Sequence, residues 1–194
     1  SMSASYYWDT AANKWVGSHK SYREEHWNIH FSYSAPVDPT TLYNDEYLSM
    51  NESHAQNMRT YSTYIDYEWD YETDSWIKVY GVEYDFDIND NIFVSTHIRF
   101  DRNFKETTKT TITGNPANGL YEKREEVTTI EDSESNEIET TSTVYTYKYN
   151  ANNILSEETI ETTESDGTKS TKRTVYEYTN SKVYPTNIAE IEAD

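Results

Sequence analysis

Four segments of this chain can be laid over one another. They are YYWDTAANKWV from Tyr6 to Val16, YEWDYETDSWI from Tyr67 to Ile77, YDFDINDNIFV from Tyr84 to Val94 and YKYNANNIL from Tyr147 to Leu155. Each runs tyrosine, any residue, an aromatic, Asp or Asn, a short polar stretch and then an apolar pair. The bracketing aromatics Trp8 and Trp15, Trp69 and Trp76, and Phe86 and Phe93 are each seven residues apart, while the shorter fourth copy pairs Tyr149 with Leu155. YEYTNSKVY, from Tyr176 to Tyr184, reads as a degraded fifth copy. A unit that recurs with its spacing intact has one local structure, so identifying the unit restricts the whole fold.

Each unit reads as a β-hairpin. Its arms hold Tyr, Trp, Phe, Val, Ile and Thr, which suit a pleated, half-buried surface. Its centre holds Asp, Asn, Ala and Thr, which accept turn dihedrals and bond their own backbone. The apolar period is two rather than 3.6: Tyr145, Tyr147 and Tyr149 share a face, as do Val82, Tyr84 and Phe86, and Tyr61, Thr63, Ile65, Tyr67 and Trp69. The bracketing aromatics are therefore expected to meet across each hairpin and set its register.

The same grammar continues between the copies. Residues 122–131 and 136–149 predict a long hairpin turning at DSES, and residues 154–164 and 168–179 another turning at Asp166-Gly167. These late strands are rich in Thr and Glu on both faces, so their ends are expected to project beyond any core. Ser34 to Asn57 is a long connection with room for a turn or two of helix, and GNPANG at 114–119 is a loop. No linker divides the chain, so residues 1–194 are expected to form a single domain of about ten strands.

Composition then limits the function classes. Sixteen basic residues stand against 35 acidic ones, for a net charge of −19. That field repels a phosphate backbone, which disfavours nucleic acid as a partner. Aromatic residues make up 15% of the chain, and the area they can bury favours a folded, polar protein over a disordered one. With no cysteine, disulfides and thiolate chemistry are excluded. No apolar run reaches the length of a transmembrane helix, and the Thr-, Glu- and Lys-rich strands lack the lipid-facing band of a membrane barrel.

The copies resemble Tyr-Asp hairpin repeats of the YD/Rhs type, and more particularly the hairpins of secreted repeat proteins of unknown function from Gram-negative gut anaerobes. The residues that carry the likeness are Tyr67, Trp69, Asp70 and Trp76; Tyr84, Phe86, Asp87, Asn89, Asn91 and Ile92; and Tyr147, Tyr149, Asn150, Asn152, Asn153 and Ile154. About a quarter of the chain lies in such copies. The turn glycine of those repeats is missing, with Asp90 in its place in one copy. The resemblance implies a secreted, periplasmic or cell-surface β-repeat protein without a catalytic centre. It implies no particular ligand.

Asp85, Asp87 and Asn89 have the spacing of the first ligands of a calcium loop. However, an EF-hand requires glycine at position six and glutamate at position twelve, where this chain has Asp90 and Thr96. Turn chemistry explains the same residues, so no metal or other cofactor is expected. Histidines 19, 26, 30, 54 and 97 contain no HExxH motif, and the chain has no nucleophile elbow, P-loop or dinucleotide fingerprint. Adjacent carboxylates such as Glu125-Glu126 fall on opposite strand faces. The aromatic surplus singles out Trp8, Trp15, Trp69 and Trp76 as candidate ligand-binding residues, for a glycan or a cell-surface protein.

The sequence thus predicts an all-β antiparallel up-and-down meander of hairpins, twisted and partly single-layered, with an up-and-down barrel as the alternative. The expected role is a non-catalytic exported module for binding or structure. The alternatives are a barrel carrier of a small apolar or aromatic ligand, and a glycan-binding module or glycan hydrolase. A carrier requires an enclosed aromatic cavity and a glycan platform requires coplanar exposed rings. A hydrolase requires two carboxylates about 5–9.5 Å apart in one cleft.

Overall fold

The computed structural model describes residues 1–36, 58–178, 185 and 187–193. Most of the Ser34–Asn57 connection, with its expected helical turn, and the end of YEYTNSKVY lie outside the described residues. Among the described residues there are eleven strands: β1 (Met2–Asp9), β2 (Lys14–His30), β3 (Met58–Asp70), β4 (Ser75–Asn89), β5 (Ile92–Asp101), β6 (Phe104–Asn115), β7 (Leu120–Asp132), β8 (Glu137–Tyr149), β9 (Leu155–Thr163), β10 (Lys169–Glu177) and β11 (Asn187–Ala193). They form one sheet in which spatial order equals chain order and every neighbouring pair is antiparallel. The meander is therefore as expected. It does not close into the alternative barrel, and β1 and β11 are its outermost strands among the described residues.

The Asp and Asn residues of the repeats build the turns. Asp9 Oδ1 accepts from the N–H groups of Ala11 and Ala12 at 2.9 and 3.0 Å. Asp70, Asn115, Asp132 and Asn150 each accept from the N–H two residues on, at 2.8–2.9 Å. Four of these turns are four-residue loops, after Asp9, Asp70, Asn115 and Asp132. The last residue of each has left-handed backbone: Asn13, Asp74, Gly119 and Asn136, with φ of 50°, 50°, 71° and 57°. Asn, Asp and Gly tolerate that region better than other residues.

Two Trp pairs lie in register as expected, with Trp8 opposite Trp15 and Trp69 opposite Trp76. The Phe copy differs. Its hairpin closes between Asn89 and Ile92, so Phe86 lies opposite Ser95 and Phe93 opposite Ile88. Only Asp90 and Asn91 remain for that turn, against four residues in the Trp copies, and the register moves by two. A shift of two keeps every side chain on its face, so the Phe86 and Phe93 rings still approach diagonally, with centroids 6.2 Å apart.

The main core lies on one face, beside the turns at residues 90–91, 116–119 and 150–154. Phe93, Ile112, Tyr121, Tyr147, Leu155 and Tyr176 are buried there beneath Phe31 and Tyr33, which follow β2 directly. The short segment 31–36 is strapped across the sheet: Ser34 N–H donates to Gly119 O at 3.0 Å and Tyr121 N–H to Ser34 O at 2.8 Å. The Tyr33 ring rests on Gly114, where a Cβ would come within 2.1 Å of it. The phenols of Tyr149 and Tyr178 donate to the carbonyls of Tyr121 and Leu155, each at 2.6 Å. Away from this core the described residues form a single layer. Threonine ladders (Thr108 Oγ1 to Thr128 Oγ1, 3.1 Å) and cross-strand ion pairs (Lys105 to Glu131, 3.0 Å) line its faces.

Candidate functional site

At the end of the sheet away from that core, the first four strands present an aromatic cluster on one face. Trp8 and Trp15 meet edge-to-face with centroids 5.6 Å apart, and Trp69 and Trp76 do so at 5.3 Å. Tyr6 bridges β1 to β3 and β4: its ring centre is 6.0 Å from that of Trp69 and 5.7 Å from that of Trp76. Its hydroxyl accepts the Trp76 Nε1–H at 3.0 Å. All four tryptophans singled out from the sequence therefore lie in one hairpin pair, joined through Tyr6, a residue that sequence reasoning did not select.

Two further residues determine how closely the cluster packs. Tyr6 lies opposite Gly17, and a Cβ on Gly17 would come within 2.4 Å of the Trp76 ring and 2.6 Å of the Trp69 ring. The absent side chain creates the seat for the two indoles; a glycine inside a strand pattern is the available sequence signal for such a close approach. Lys20 crosses the next layer, its ammonium 4.1 Å from the centre of the Tyr67 ring and 6.0 Å from that of Trp76. Trp69 Nε1 is buried and has no hydrogen-bond partner among the described residues.

Exposure divides the cluster. Trp69 and Trp76 are half-buried, whereas Trp8 is 45% and Trp15 62% exposed. Tyr6, 50% exposed, belongs with the outer pair in exposure though it packs against the inner one. The ring planes cross at 76° and 85° within the two Trp pairs. They do not form the coplanar platform on which sugar rings stack.

The same face continues across the sheet. Two residues beyond Trp76, Lys78 lies over the Phe100 ring, 5.8 Å from its centre. From there a groove of about 680 Å³ runs over Ile98, Phe100 and Ile138, flanked by Glu83, Lys105 and Glu131. Lys78 pairs with Glu83, and Lys105 with Glu131 at 3.0 Å, so each of these glutamates meets a lysine.

The calcium-like residues behave as strand and turn residues. Asp85, Asp87 and Asn89 all lie within β4, opposite Thr96, Val94 and Ile92. Alternate strand residues stand about 7 Å apart, too widely spaced for the wrapped oxygen shell at about 2.3–2.6 Å that calcium requires. Asp85 Oδ1 accepts the Phe86 N–H at 2.9 Å. Among the described residues no group of three or more His, Asp or Glu side chains is arranged to hold a metal ion. His26 instead faces Thr63, with 3.2 Å between Nε2 and Oγ1, and meets Phe86 edge-on. The adjacent carboxylates Glu125 and Glu126 are held separately, by Lys123 at 2.7 Å and by Arg124. No helix among the described residues is long and apolar enough to cross a membrane.

No family model, curated protein or solved structure matches the chain.

Proposed function

We propose that this protein is a non-catalytic, exported or cell-surface β-repeat module that binds a protein partner through its N-terminal aromatic face. The observation that carries the reading is the exposed Trp8–Trp15 pair, on the same face as the packed group of Tyr6, Trp69 and Trp76. Exposed tryptophan is enriched in interaction hot spots. The net charge of −19 favours a basic partner and speeds its approach. The export component rests on the resemblance of the repeats to secreted hairpin proteins.

A protein partner is preferred to a glycan because the crossed indole planes provide no flat stacking surface. An apolar ligand carried inside a barrel has no support in an open sheet. For a hydrolase, the groove glutamates would have to be released from Lys78 and Lys105 before acting as an acid–base pair.

The test is adhesion of the labelled full chain to intact cells, with and without prior proteinase or periodate treatment. Binding abolished by proteinase and by the Trp8→Ala/Trp15→Ala double variant is the expected result. Loss on periodate alone would transfer the site to a glycan. Full adhesion of the double variant would remove the aromatic face from the function.

A further inference from the structure

The groove of about 680 Å³ lies over β4 to β8, in the interior of the sheet. One row of cross-strand neighbours runs along its floor: Phe100 opposite Lys105, Lys105 opposite Glu131, and Glu131 opposite Ile138. Neighbouring strands are about 4.8 Å apart, so the two apolar ends of this row stand about 14 Å from each other. Phe100 is buried at one end, whereas Ile138 at the other is 69% exposed. Two tied turns form the end wall. Ser133 N–H donates to Asn103 O at 2.8 Å, and Asn103 Nδ2 donates to Glu134. The groove is therefore shaped before anything enters it.

Its charges do not balance. Lys78, Lys105 and Arg102 are taken by Glu83, Glu131 and Glu68. Asp132 and Glu137 have no cation among the described residues, yet they lie directly opposite each other where β7 and β8 meet their turn. The same position in the first hairpin sets Asp9 against Lys14. Like charges directly opposite are destabilising. Asp132 does not escape by taking up a proton, because the Glu134 N–H holds its carboxyl below the ordinary aspartate value. Among the described residues no group of three acidic or histidine side chains is arranged for a metal ion. Two carboxylates beside an apolar floor suit an organic cation instead.

We infer that this groove receives a basic, extended peptide segment of another protein, with an apolar side chain over Ile98 and Phe100 and an Arg or Lys against Asp132 and Glu137. A cation there relieves the opposed carboxylates, whereas an acidic segment meets both of them and the −19 of the whole chain. The row is too long for a single small cation to touch its apolar end and its acidic end together. An extended chain covers about 14 Å in four residues and presents alternate side chains on one side, so the two anchors stand four residues apart. The ion pairs around the groove are partly exposed, so they hold their partners weakly and can yield to a ligand. The site is separate from Trp8 and Trp15, and it stands whether or not those residues bind a partner.

Fluorescence anisotropy with the full chain tests the inference. The probe is a labelled, capped Ser/Thr peptide carrying one Leu and, four residues later, two Arg. It should bind, and binding should weaken as salt is raised. The Asp132→Asn/Glu137→Gln double variant keeps the side-chain oxygen that accepts in the turn and removes both charges. It should weaken binding about tenfold or more while melting no lower than the parent, because a repulsion has been removed. Ile98→Thr should also weaken binding, and Trp8→Ala/Trp15→Ala should leave it unchanged. No binding of the probe, equal binding of its Arg-to-Glu or Leu-to-Ser version, or equal affinity for the double variant would each overturn the inference. So would displacement by an equal concentration of spermine, which has the charge without the apolar anchor. Loss of binding in the Trp variant would move the peptide to the aromatic face.

Discussion

Gly17 of β2 lies beneath the indole of Trp76, so close that a methyl group in its place would come within 2.4 Å of the ring. Both the Trp69–Trp76 pair and its Tyr6 partner depend on that space. Gly17→Ala should destabilise the protein by about 1–3 kcal/mol, the usual range for overpacking. The near-ultraviolet circular dichroism of the coupled tryptophans should weaken in parallel. Chemical denaturation with that spectrum as a second probe would check it; an unchanged spectrum would show that the indoles are not seated on Gly17.

The two indoles of the inner pair differ in one bond. Trp76 Nε1 donates to Tyr6, while Trp69 Nε1 is buried without a partner among the described residues. Both phenylalanine substitutions remove similar volume, but only Trp76→Phe also removes a hydrogen bond. Trp76→Phe should therefore cost more than Trp69→Phe, by about 0.5–1.5 kcal/mol. Equal costs in urea denaturation would argue against the assigned Tyr6 bond.

Glu157 receives Arg173 at 2.5 Å and Lys148 at 2.6 Å. The Arg173 hydrogen bond, followed by that of Lys148, holds its carboxyl down at about 2, below the ordinary value of 4.5. Since the folded-state value is the lower one, the stabilisation is complete above about pH 4.5 and disappears as pH falls toward 2. Glu157→Gln should thus lower stability at neutral pH and flatten the loss between those limits. Melting temperatures across that range, for both proteins, provide the comparison.

Tyr147 and Tyr149 respond at the other extreme. Burial, chiefly, pushes both phenols well above the usual tyrosine value near 10. A value raised on folding contributes stability that is complete below pH 10 and is lost as pH climbs toward the folded-state value. The core beneath the 31–36 strap should therefore unfold in alkali, and two phenols should ionise only with that transition. Phenolate absorbance recorded alongside circular dichroism would reveal it. Ionisation of every described tyrosine before any unfolding would contradict the burial.

Asn136 closes the β7–β8 loop with φ of 57°. Glycine reaches that region without a Cβ penalty, and alanine pays it in full. Asn136→Gly should be neutral to slightly stabilising and Asn136→Ala destabilising by about 1 kcal/mol. Thermal melts of the pair measure the difference, and equal melting points would place the loop in another conformation.

What the chain determined by itself is local: hairpins, their turns and the face of each residue. The period of two in Tyr145, Tyr147 and Tyr149, and the Asp9, Asp70 and Asn150 turns, depend on neighbours within a few residues, so they are legible from composition and spacing. The tertiary structure decided what depends on distant contacts. Phe86 and Phe93 slipped by two because a two-residue turn replaced a four-residue one, a change that leaves the facial pattern intact and thus gives no signal in it. Phe31 and Tyr33 become core only by crossing to Gly114 and Tyr121, roughly eighty to ninety residues away. Tyr6 and Gly17 join the tryptophan candidates only once β1 through β4 lie side by side. Whether the meander closes rests on the accumulated geometry of the eleven described strands, which no single hairpin encodes.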